Sequence, residues 1–240
     1  MPGPTAASQI HVAVSHLRGA LRRHGLAEVI ATRPGGYTLV AAAHETAVPS
    51  YLASTYTESG EPDRSADCHR QAIALRRAVG DDKSTAHALA NAAYHFMTQR
   101  EYAEAQGCLT ETLAIKYAEQ DLLSAGVTEV QPAGVLLAQG RHADTVRHAD
   151  TGLDLCRQYG DRYNEWIALL FRSVAHRRLG DARRSRDDAA ACLAVCEALR
   201  QTPARNLAAG LLGRPPLADE SGDPVPAWLT IVLDAASLPR

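Results

Sequence analysis

Slid against itself, the chain falls back into register at a step of 40 residues, and that step limits its fold more than any other feature. Helix-closing positions lie at Gly60, Arg100, Gly140 and Gly180, 40 apart each time. Cys68 is in register with Cys108, Cys156 with Cys196, and Leu113 with Leu153 and Leu193. Between corners the apolar residues keep helical spacing. Trp166, Leu169, Leu170 and Val174 precede Gly180, and Ala189, Cys192, Leu193 and Cys196 follow it. Gly180 suits the left-handed residue that closes a helix, and Asp181 suits the cap that opens the next. A helix pair with one apolar face cannot hide that face alone, so the period predicts a stack of helix pairs, an all-α solenoid.

Four units follow from the step: 41–80, 81–120, 121–160 and 161–200. Each alternates small and bulky residues about its corner. Ala53 and Tyr56 precede Gly60, Ala93 and Phe96 precede Arg100, Ala133 and Leu136 precede Gly140, and Ser173 and His176 precede Gly180. Small residues let helices approach, and bulky ones fill the gap between neighbours. This alternation resembles the tetratricopeptide repeat, with each helix longer than usual by most of a turn. The third unit is the weakest, because Gly126, Pro132 and Gly134 fall in its first helix. An interior proline costs a helix about 3 kcal/mol, so this helix is expected to be kinked or shortened, through erosion of the repeat or a bend in the groove.

Composition removes other classes. The chain is 46% hydrophobic and only 5% aromatic, which favours helix over sheet. No apolar run approaches the ~20 residues of a membrane span, so no membrane partner is expected. The start, MPGPTAASQ, lacks the basic and apolar parts of a secretory signal. Five cysteines, an odd number at repeat positions, read as reduced core residues of a cytoplasmic protein. There is no phosphate-binding glycine loop, no GxSxG and no HExxH. Cys192 and Cys196 lie one turn apart without a second ligand pair and read as buried packing. His142 and His148 read as solvated, and Asp187-Asp188 as a charged helix face. No enzyme, cofactor or metal site is expected.

The first 40 residues differ from the rest. Residues 9–23, QIHVAVSHLRGALRR, form an amphipathic pattern with Ile10, Val14, Leu17 and Leu21 on one face. His11, Ser15, Arg18 and Arg22 lie on another. Residues 28–40 read as two short β-prone runs about Arg33-Pro34-Gly35-Gly36. Arg18, Arg22, Arg23 and Arg33 against Glu28 make this head +3. The whole chain is −2, so the remaining 200 residues carry −5. A basic helix and a hairpin with arginine at its tip is the way a winged helix holds DNA.

VAVSHLRGAL (Val12 to Leu21) and IATRPGGYTL (Ile30 to Leu39) resemble the recognition helix and wing of the Streptomyces antibiotic regulatory protein family. Members are activators with an OmpR-type winged helix. The resemblance covers residues 9–40 and implies contact with double-stranded DNA. His11 and Ser15 would lie nearest the bases, with Arg18, Arg22 and Arg33 on phosphate. Ala13, His16 and Gly19 stand where the family has His, Arg and Arg. The family's winged helix begins with a sheet and two further helices that residues 1–8 do not supply; finding them in frame upstream of Met1 would favour the activator reading.

The resulting expectation is a tetratricopeptide-like solenoid of four 40-residue helix pairs over 41–212, behind a small helix and β-hairpin, the remnant of a winged helix. Residues 213–240 would supply a linker and a segment capping the solenoid's exposed end. Register places Tyr94, Met97, Val130, Leu137, Arg177 and Arg178 on the concave face, as a groove for a protein or peptide. The leading function is a transcriptional regulator that contacts DNA through its head and, through its repeats, a protein partner or a second copy of itself. The alternative is a protein-interaction scaffold, a truncated relative that no longer binds DNA.

Overall fold

Every twentieth residue from Gly60 to Arg200 is left-handed. Gly60, Gly80, Gly140, Gly160 and Gly180 have φ of 73°, 74°, 75°, 75° and 83°. Arg100, Gln120 and Arg200 adopt the same conformation at 62°, 57° and 56°. Two hydrogen bonds lock each corner. At Gly140 its own N–H reaches the Leu137 carbonyl at 3.0 Å, and the Arg141 N–H reaches Leu136 at 2.8 Å. This is the paired closure expected of a left-handed helix end.

The computed structural model describes residues 30–33, 36–39, 48–216 and 225–236. The chain divides into two units, 1–81 and 82–240. In the first, β1 (Ile30–Arg33) pairs antiparallel with β2 (Gly36–Leu39), Ile30 opposite Leu39 and Arg33 opposite Gly36. The ladder is a hairpin and does not by itself show a winged helix. The helix expected over 9–23, with His11, Ser15, Arg18 and Arg22, lies outside the described residues. Helix α1 (Val48–Glu58) packs on α2 (Pro62–Val79). Their approach is close enough for the Ser65 hydroxyl to donate to the Ala53 carbonyl at 2.9 Å.

The second unit contains α3 (Asp82–Thr98), α4 (Tyr102–Ala118), α5 (Leu122–Ala138), α6 (His142–Tyr159), α7 (Arg162–Arg178) and α8 (Ala182–Leu199). Two shorter helices follow, α9 (Thr202–Leu211) and α10 (Ala227–Ala235). Each helix from α3 to α8 packs on the next, and α5 also meets α7. The repeat register holds at the level of burial, since Ala93, Ala133 and Ser173 are all at 0% exposure. Asp181 caps α8 as expected, accepting the Arg184 N–H at 3.0 Å, and Asp121 and Asp161 do the same for α5 and α7. No described helix is long and apolar enough to cross a membrane.

The third repeat is not eroded. α5 keeps 17 residues, the length of α3 and α7, with Pro132 inside it. Its glycines sit at close approaches. A Cβ on Gly126 would lie 2.7 Å from Leu155 Cβ on α6. One on Gly134 would lie 3.0 Å from the Phe171 ring and 3.2 Å from Trp228.

Buried carboxylates tie successive helices. Glu129 on α5 accepts from Tyr117 of α4 at 2.7 Å, and its other oxygen lies 2.5 Å from His148 Nδ1 of α6. Asp188 on α8, 7% exposed, takes both ends of the Arg172 guanidinium at 2.6 and 2.9 Å, while Arg172 also reaches Asp150 at 2.6 Å. Glu165 on α7 holds Arg157 of α6 at 2.9 Å. The expectation of a solvated Asp188 and a solvated His148 is therefore corrected. Each is a partner in a bridge between helices, and a buried charge persists only when so paired.

Candidate functional site: the face of the first helices

In the second unit the first helices of successive pairs, α3, α5 and α7, form one row, and α10 lies on it. α10 packs against α3 and α5. Trp228 meets Phe171 of α7 edge to face, ring centroids 6.0 Å apart. Leu229 and Val232 are at 0% exposure, and Trp228 and Leu233 are also buried. Positions 228, 229, 232 and 233 share one helical face. The far end is fastened too: Arg178 Nη2 donates to the Ala236 carbonyl at 2.6 Å, at the terminus where a helix concentrates negative partial charge.

The seat is made by departures from the repeat. Positions 94, 134 and 174 are equivalent and hold Tyr, Gly and Val. Gly134 is the one without a side chain, and Trp228 occupies the space beside it. Positions 91, 131 and 171 hold Asn, Gln and Phe. Phe171, fully buried, supplies the ring that Trp228 contacts.

The groove expected from register is thus only partly open. Tyr94 is 48% exposed, and Arg177 is exposed. Met97, Val130 and Leu137 are at 1%, 0% and 1%, which corrects their assignment as groove lining. Val130 faces the partner helix of its own pair, since a Cβ on Gly152 would lie 3.1 Å from it. Met97 and Leu137 belong to the two helices that α10 packs against. Arg178 is engaged by α10. The C-terminal segment, expected at the end of the stack, lies on this face instead, and α9 is the helix that follows on α8. Register missed Gly134, Phe171 and Trp228 as a site, although a lone glycine at a bulky position was a readable signal.

Beside the covered stretch, the same face keeps an open cleft between α3 and α5. His87 and Ala90 line one side, and Leu123, Val127 and Gln131 the other. Leu123 is 48% exposed there. His142, at the start of α6, is pushed below its ordinary pKa by burial and then by the Arg178 charge. Cys192 and Cys196 are packing residues at 0% exposure, with the Cys192 thiol donating to the Trp166 carbonyl at 3.3 Å. Among the described residues, no cluster of three His, Cys, Asp or Glu side chains is placed to hold a metal.

No protein-family model matches the chain, and no curated protein matches it. Solved structures do. One is described as a kinesin light chain with nearly identical TPR-like repeats, from Podosopora anserina. It has TM-score 0.60 at 13% identity, over 82% of this chain and 90% of that one. Another is BtubC (BKLC) from P. vanneervenii, with TM-score 0.62 at 16% identity, over 91% of this chain and 81% of that one. The fold is an all-α helical-repeat solenoid resembling TPR-like repeats. At these identities the likeness is one of fold.

Proposed function

We propose that the chain is a non-catalytic protein-interaction scaffold that binds short helical segments of partners on the α3–α5–α7 face. One observation carries this reading: the face already holds an apolar helix, through Trp228, Leu229, Val232 and Leu233. Beside it the cleft of Ala90, Leu123 and Val127 offers apolar surface to a longer partner. Helical peptides displayed on phage and selected on the full chain test the reading. Selected peptides should converge on an apolar stripe and lose binding on Val127→Arg, while Leu179→Arg, an exposed residue outside the cleft, leaves binding intact. No convergence, or no effect of Val127→Arg, sinks it.

A second reading keeps DNA contact in the head, as the family resemblance implies. Its support is the β1–β2 pairing, which puts Arg33 at the end of a hairpin in the stretch read as a wing. The test is anisotropy of labelled promoter duplex across a salt series. A working head binds it more tightly than scrambled duplex, and Arg18→Ala or Arg33→Ala each flatten the log–log salt slope by about 0.9. No binding at low salt removes the reading.

A further inference from the structure

We infer that α10 is an exchangeable occupant of its seat. The ligand that replaces it is a partner helix carrying tryptophan, apolar residues one, four and five positions later, and a free C-terminal turn for Arg178. The inference rests on the scaffold reading and names the ligand class of that surface.

Three observations converge. The seat lies where α5 and α7 approach each other closely, a Cβ on Gly134 falling 3.0 Å from the Phe171 ring and 3.2 Å from Trp228. Gly134 and Phe171 depart from their repeat positions, and Trp228 is what fits against both. The attachment copies an intermolecular one: an apolar stripe on one side and a charged hydrogen bond, Arg178 to the Ala236 carbonyl, at the end. Finally, α10 has nine residues, below the ~12–15 at which a helix holds together alone. It is helical because it is seated. Segments of that kind open at the low end of a protein's local stabilities. An external helix with the same pattern gains the same contacts and competes by mass action.

The probe is a fluorescein-labelled peptide VPAWLTIVLDAA, residues 225–236, titrated against the full chain by anisotropy. The partner chains are wild type, the unseated double variant Trp228→Ser/Leu229→Ser, and that variant with Gly134→Leu to fill the seat. Circular dichroism melts check that each folds. The expected result is binding to the unseated variant at least tenfold tighter than to wild type, and loss of that binding with Gly134→Leu. A peptide with serine at both anchor positions should not bind. Equal binding to wild type and variant, or none to either, overturns the exchange while leaving the Val127 result on the neighbouring cleft standing. Loss of cooperative melting in the unseated variant also overturns it, since α10 would then be part of the fold. Wild type that sediments as a dimer and trades labelled α10 between copies overturns the partner-helix assignment in favour of a second copy.

Discussion

At the scale of single residues, burial decides which side chains are reactive. Cys156 is buried beside Asp161 and Glu165, and burial first, then those charges, pushes its thiol up to about 12. Cys192 is raised by its hydrogen bond with Cys196 and by burial. Cys108 is the half-exposed member of the five. Brief alkylation of the native chain at neutral pH, read by mass spectrometry, should therefore modify Cys108 first and spare Cys156, Cys192 and Cys196. His142 gives a second residue-scale prediction. Its pKa is lowered below 6.5 in the folded chain, so the unfolded chain takes up its proton first. Its penalty is absent well above pH 6.5, and stability falls as pH drops through that value toward the folded pKa. Chemical denaturation at pH 7.5 and 5.5 should show a loss that His142→Gln reduces. The sequence showed these residues without their surroundings. A histidine or aspartate in a helical pattern carries no sign of the helix twenty residues away that will bury it, so His148 and Asp188 read as solvated.

At the scale of helices, the corners govern stability. A Cβ added at Gly140 would find no atom within 4 Å, so Gly140→Ala tests backbone strain alone. It should cost about 1 kcal/mol, because a left-handed residue with a Cβ is strained by about that much. Gln120 already bears that strain at φ 57°. Gln120→Gly should raise stability by about 1 kcal/mol, measured from the denaturant midpoint at unchanged m-value. The corners also explain what was legible. Gly60, Gly140 and Gly180 announced a 40-residue step, and the helix pairs followed from it. Gly80 and Gly160 marked two of the intervening corners as well, while those at Gln120 and Arg200 carried no glycine and stayed hidden until backbone conformation was seen.

At the scale of the second unit, carboxylates tie the stack and one short helix crosses it. Removing the shared acceptor leaves its two part-buried partners unsatisfied, at about 1–3 kcal/mol. Glu129→Ala strands Tyr117 and His148 together and should lower the melting temperature by several degrees. Trp228→Ala should act differently. Hydrogen exchange should rise in α10 and leave α6 to α8 protected, since those helices keep their own neighbours. The open part of the face was readable from register, as Tyr94 and Arg177 show. Its covered part was not, because period predicts which residues share a face and says nothing of a later segment folding back onto it. Met97 and Leu137, both buried, lie on the two helices that this segment packs against.

The seat of α10 also has a consequence in time. Its three helices begin at Asp82, Leu122 and Arg162, while α10 begins at Ala227. A ribosome therefore releases the whole seat before it makes the helix that fills it. At about 5–20 residues per second, the repeats spend several seconds as a nascent chain with the surface that Trp228 covers still open. A partner stationed near the site of synthesis would meet the surface with no competitor present, and the same partner arriving later would have to displace one.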